Sequence, residues 1–147
     1  MIIVVADTSG LIAALDAEHH EHRVANEAIR AAGLLVLSPL LLAEIDHVAR
    51  RELGRDAAFG AVDDIRRWVQ RGRVVIPEIT GQHLAAAQSV RVRYRDLDLD
   101  LADAVNVAVA ADYDTDAVLT LDRRDYRVVR PLGRHKAFRL LPDDLPL

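Results

Sequence analysis

Short β-branched apolar runs alternate along this chain with helical stretches, and acidic residues follow two of those runs directly. This pattern specifies an α/β protein, an α/β/α sandwich around a central, mainly parallel sheet of four to five strands. Runs that stay apolar at every position, instead of alternating, mark strands covered on both faces. The 147 residues, 51% of them hydrophobic, are read as one domain spanning 1–147. A chain of this length buries roughly 70% of the surface its unfolded form exposes, enough for a core without a disulfide or structural metal.

Ile2 to Ala6 is the first buried run; it ends at Asp7-Thr8-Ser9-Gly10, after which Leu11 to Leu15 turn helical. Leu34 to Leu37 is the second, and Ser38-Pro39 supplies a helix cap followed by the residue best tolerated at the first helical position. The helix from about Pro39 to Arg51 stops at Gly54. Asp56 to Arg71 is amphipathic, with Phe59, Val62, Ile65, Trp68 and Val69 three or four apart, and Gly72 closes it. Val74 to Ile76 is a third strand stopped by Pro77, and Thr80 caps a helix from about Gly81 to Tyr94. A helix over Asp100 to Asp112, a fourth strand over Ala117 to Leu121 and a weaker fifth over Ala137 to Leu141 complete the pattern.

Composition excludes several classes. There is no cysteine, so disulfide frameworks and thiolate zinc sites are ruled out. No apolar stretch approaches the ~18 residues that cross a bilayer, and Ala6 runs into Asp7 without a basic leader, so neither a membrane protein nor a secreted precursor is expected and the cytoplasm is the default location. The net charge of −4 argues against a general nucleic-acid coat protein, although a nucleic acid remains open as a substrate. Lys136 is the only lysine; every other basic side chain is an arginine, a bias that GC-rich coding also produces.

In an open parallel sheet, ligands bind beyond the carboxyl ends of the strands. Asp7 follows the first strand and Asp122 the fourth. Glu44 lies within ~9 Å of the second strand's end on the helix that follows it, among apolar neighbours where an unpaired charge is costly. Asp103 lies in Leu101-Ala102-Asp103-Ala104-Val105, and Asn106 follows on the same side of the helix as a second polar group on the pocket wall. For Asp7, Asp122 and Asp103 the plainer alternative is helix capping, with Asp100 as the cap and Asp103 its box partner. For Glu44 it is an exposed side chain pairing with Arg50 or Arg51. Four carboxylates converging on one sheet edge repel each other unless a cation joins them. Oxygen ligands alone select a hard ion, Mg²⁺ or Mn²⁺, and the chemistry such an ion supports is phosphodiester hydrolysis.

Three stretches carry a family resemblance: Val4-Val5-Ala6-Asp7-Thr8-Ser9-Gly10-Leu11-Ile12-Ala13, Leu37-Ser38-Pro39-Leu40-Leu41-Leu42-Ala43-Glu44, and Leu101-Ala102-Asp103-Ala104 continuing to Leu119-Thr120-Leu121-Asp122-Arg123-Arg124-Asp125-Tyr126. In their order and spacing the chain resembles a PIN-domain ribonuclease and, within that group, a VapC-type toxin of a bacterial toxin-antitoxin pair. The resemblance implies an acidic quartet of Asp7, Glu44, Asp103 and Asp122 around Mg²⁺, with Asp7 and Asp103 as principal ligands and Thr8 or Ser9 holding the first carboxylate. It also implies an RNA substrate cut internally, a homodimer, and a small VapB-type antitoxin that masks the site. Asp96, Asp98, Asp100 and Asp125 are surplus acids, so a shift of one helical turn among the ligands stays open. Arg123, Arg124 and Arg127 are candidates for gripping RNA phosphates or else solvated surface charge. His19, His20 and His22 are read as an exposed, functionally silent cluster in a loop between helices.

Other readings stay open on the sequence. A phosphatase or a phosphate-accepting receiver also places an acid after the first strand, but Ser9 stands where a second Asp is wanted and Lys136 lies far along the chain. A PIN-like RNA-processing nuclease outside any toxin-antitoxin pair, and an idle PIN-like interaction module, share the fold and differ in chemistry or partner.

Overall fold

The structure, a computed structural model, describes residues 1–146. Its elements run β1 (Ile3–Ala6), α1 (Thr8–Leu15), α2 (His22–Ala31), β2 (Leu34–Val36), α3 (Pro39–Leu53), α4 (Arg55–Gln70), β3 (Val74–Val75), α5 (Gly81–Arg93), a 3₁₀ turn (Arg95–Leu97), α6 (Leu101–Asp112), β4 (Ala117–Leu119), α7 (Arg123–Val128) and β5 (Arg139–Leu141). The five strands form one sheet in the order β3-β2-β1-β4-β5, and every neighbouring pair is parallel. Among the described residues, no helix is long and apolar enough to cross a membrane.

Period-two alternation of the strand side chains builds two separate cores. Val4, Ala6, Leu35, Leu37, Ala117, Leu119 and Leu141 pack with α1 to α4 on one face of the sheet. Val5, Val36, Val118 and Leu140 pack with α5, α6 and α7 on the other. Both faces are therefore buried, which is why the strand sequences are continuously apolar.

From β1 the chain crosses to β2 and β3 on one side, then returns to β4 and β5 on the other. The winding reverses between β1 and β4, and an open α/β sheet forms its ligand crevice at such a reversal. Two helices go beyond the sequence expectations. The His-rich stretch opens into α2, whose Ala25, Ala28 and Ile29 pack inward at helical spacing. The six residues of α7 are too few for periodicity to declare them.

Candidate metal centre at the strand ends

Asp7 leaves β1 at the reversal point. Its backbone N–H donates to the Leu119 carbonyl at 2.9 Å, fixing the end of β1 against the end of β4. The next turn begins α1 immediately, and Gly10 permits this: a Cβ there would sit 2.6 Å from the Leu119 carbonyl oxygen. Asp7 occupies the cap position of α1, yet its side chain makes no capping hydrogen bond. The carboxylate is 5% exposed. It accepts instead from the Thr120 hydroxyl at 2.7 Å and the Ser9 hydroxyl at 3.3 Å.

Those two hydroxyls are held in turn by the segment after β4. The Thr120 oxygen accepts from the Asp122 N–H at 2.9 Å and the Ser9 oxygen from the Leu121 N–H at 2.9 Å. Each oxygen thus accepts from the backbone and faces Asp7, and the two hydroxyls also lie 3.3 Å from each other. Ser9 therefore holds the first carboxylate. Thr120 does so too, and nothing in the sequence set it apart except its place between a buried strand and Asp122. The Thr8 hydroxyl is buried at the cleft wall with no hydrogen-bond partner among the described residues.

Asp7, Glu44, Asp103 and Asp122 all line one cleft of about 390 Å³, together with Asp16, Glu52 and Asp100. The four acids singled out in the sequence are therefore brought together. Asp122, like Asp7, caps its helix by position only, without a side-chain capping bond. Asp100 does cap α6, accepting from the Asp103 N–H at 2.8 Å. It lines the cleft as well, so cap and helix wall both face the pocket. Asp125 is buried on α7 beside Arg124 and does not line the cleft.

The electrostatics show the strain of this gathering. Burial holds the Asp7 carboxyl above its ordinary value, and the Asp122 charge adds to the effect; the Thr120 and Ser9 hydroxyls and the Thr8 amide oppose it. Burial first, then the Asp100 and Asp7 charges, raise Glu44. Asp103 is pushed up to about 8, by burial and then by Asp7, Asp100 and Asp122. Among the described residues no three acids or histidines close into a ready-made cage. The donor set still suits a hard cation: acidic oxygens from four separated segments, with burial first and neighbouring charges second favouring the protonated forms of Asp7 and Asp103, beside the buried Thr8 hydroxyl that faces Glu44.

Three expectations are corrected. Asn106 is not on the cleft wall. It is 1% exposed, and its Nδ2 donates to the Ala6 carbonyl at 3.2 Å, bracing the residue before Asp7 from behind. Arg123 is engaged by Glu21 and Asp143, and Arg127 makes a two-pronged contact with Asp144 at 2.8 Å for each prong. Both arginines are structural ties, because carboxylates near the end of the chain meet them in space. Arg124 alone of the three projects into solvent, touching only Asp125. Finally, His19 is not fully exposed; it lines the acidic cleft, with its Nδ1 accepting from the Glu21 N–H at 3.0 Å, while His20 is exposed. His22 belongs to α2, its ring against the Ala13 carbonyl.

An α/β sheet with a carboxylate-lined crevice at its winding reversal defines the class, and known proteins give the family. The PIN-domain pattern matches residues 4–131, and the chain belongs to the PIN-domain family. It is 32% identical over 142 residues to Ribonuclease VapC26 of Mycobacterium tuberculosis, an alignment spanning 88% of this chain and 94% of that protein. Among solved structures, Mycobacterium tuberculosis VapC20, described as a sarcin-ricin loop cleaving toxin, superposes with a TM-score of 0.70 at 20% identity, covering 81% of this chain and 89% of that one. VapBC2 from Rickettsia felis, solved bound to a DNA fragment from its promoter, superposes at 0.64 and 13% identity, covering 95% and 98%. At those identities the two superpositions speak for the fold.

Proposed function

We propose that this chain is a magnesium-dependent endoribonuclease of the VapC type, the toxin of a toxin-antitoxin pair. The observation that carries the reading is the convergence of Asp7, Glu44, Asp103 and Asp122, from four separated segments, on one cleft. The relationship to a ribonuclease across most of both chains supports the substrate class.

Asp7 and Asp103 are the principal metal ligands in this reading, with Glu44 and Asp122 completing the set directly or through water. Mg²⁺ fits the all-oxygen donors, and Mn²⁺ is the alternative. When bound, such an ion neutralises the phosphodiester's charge and supplies an acidified water. The chain's own work is preorganisation. Thr120 and Ser9 fix the Asp7 carboxylate in one orientation, Asn106 fixes the backbone before it, and Asp100 fixes the start of the helix that carries Asp103. The carboxylates that repel one another without a cation are the groups that bind it when it arrives.

The partners in this reading are cytoplasmic RNA, a second copy of the chain, and a small VapB-type antitoxin that covers the cleft. The test is cleavage of RNA with and without Mg²⁺. Asp7→Asn and Asp103→Asn are expected to abolish metal-dependent cleavage while leaving the metal-free fold intact or slightly more stable, since each removes one of several clustered like charges. Unfolding of both variants would make these residues structural caps. Cleavage-inactive wild type that binds a partner through the cleft would make the chain an interaction module, and cleavage with no antitoxin encoded beside it would make it a processing nuclease.

A further inference from the structure

A cleft lined by seven carboxylates, in a chain of net charge −4, repels the polyanion it is proposed to cut. The cations that hold such a substrate must therefore be gathered outside the cleft, and the ion pairs show which ones are free. Arg123, Arg127, Arg134 and Arg139 are neutralised by Asp143, Asp144, Asp114 and Asp116. Among the described residues ten cations have no carboxylate partner; Arg93, Arg130 and Lys136 are three of them, all exposed and without a side-chain hydrogen bond, whereas Arg73, which shares another groove with Arg30 and Arg71, is held by the Ile29 and Ala32 carbonyls. Arg93, Arg130 and Lys136 line one groove of about 430 Å³, between the end of α5 and the loop joining α7 to β5. His135 shares the groove but faces Asp114 and Asp116.

The groove is braced. The Tyr94 hydroxyl accepts from the Arg130 N–H at 3.1 Å, joining its two walls, and the Arg93 guanidinium lies over the Tyr94 ring at 5.6 Å. Along the chain, Asp100 on the cleft rim follows Arg93 by seven positions, a segment that spans at most ~25 Å and includes the 3₁₀ turn.

We propose that this groove is a second binding site, for the phosphate backbone of single-stranded RNA, with Arg93, Arg130 and Lys136 as its phosphate contacts. The inference rests on the nuclease reading and names how that substrate is held. The test measures binding of a fluorescein-labelled single-stranded oligoribonucleotide to the full chain in EDTA, where no metal-dependent cutting occurs. The triple variant Arg93→Gln, Arg130→Gln, Lys136→Gln is expected to bind at least ~10-fold more weakly at low salt. The slope of log K against log salt is expected to fall by ~2, since each phosphate no longer neutralised on a single strand removes about 0.7. The variant Arg123→Gln, Arg127→Gln removes as much formal charge per residue and is expected to bind as wild type. Equal affinities for wild type and the triple variant would overturn the groove. So would unchanged RNA binding accompanied by loss of self-association at low salt, which would make the groove a contact between copies. The nuclease reading fails separately, if the wild type leaves RNA uncut in Mg²⁺.

Discussion

Thr120 accepts from the Asp122 N–H, and its hydroxyl lies nearer to the Asp7 carboxylate, at 2.7 Å, than to Ser9 Oγ, at 3.3 Å, so Asp7 is the better acceptor of its one proton. Valine has the same shape and no proton to give. Thr120→Val is expected to weaken Mg²⁺ binding ~10–100-fold, the usual effect of removing a group that orients a ligand, and isothermal titration should show it without any change in the number of sites. Some of the site is legible residue by residue: acids after buried strands, and acids among apolar helix residues, are anomalies a sequence displays. Thr120 and Asn106 are not legible in the same way. A threonine at a strand end and an asparagine in a helix have many ordinary uses, and only the Asp7 carboxylate and the Ala6 carbonyl that meet them in space settle which use applies. The same holds for Arg123 and Arg127, whose partners Asp143 and Asp144 lie beyond any local pattern.

At the scale of elements, α1 packs against β4 through a contact that tolerates no side chain. Gly10→Ala would place a methyl carbon 2.6 Å from a backbone oxygen, so either α1 or the end of β4 must shift. Overpacking of this kind costs typically ~1–3 kcal/mol, and chemical denaturation should report it. Because the shifted elements also carry Asp7 and Thr120, metal affinity is expected to fall with stability.

The C-terminal turn is fastened to α7 by two ion pairs. The Arg123 guanidinium holds the Asp143 carboxyl below its ordinary value, and Arg127 does the same for Asp144. Groups depressed in the folded state contribute stability that is complete above the unfolded carboxylate value, near pH 3.9, and is lost as pH falls through the folded values. Both pairs are partly exposed, so each is worth no more than ~1 kcal/mol. Arg127→Gln is expected to lower the melting temperature at pH 6 and to flatten its decline below pH 4, followed by circular dichroism. Strand and helix order along the chain are readable from periodicity. The six-residue α7 is not, because it is too short to show a period.

For the whole molecule, the two-core sandwich is complete without any cation, whereas the cleft is built at an electrostatic cost. Mg²⁺ is therefore expected to raise the melting temperature of the wild type, by an amount equivalent to ~2.7 kcal/mol at one hundred times its dissociation constant. Asp103→Asn should start from an equal or higher melting temperature in EDTA and gain far less on adding Mg²⁺. A gain of the same size in both would remove Asp103 from the ligand set.

The winding reversal between β1 and β4 also has a bearing on synthesis. Asp7 emerges first from the ribosome, but the hydroxyl and backbone groups that hold it belong to residues 119–122, and Asp103 and Asp122 come from the same late stretch. In the proposed reading the metal centre is therefore assembled only after the segment through Asp122 has joined β1, so the first-made ligand waits on the last-made ones.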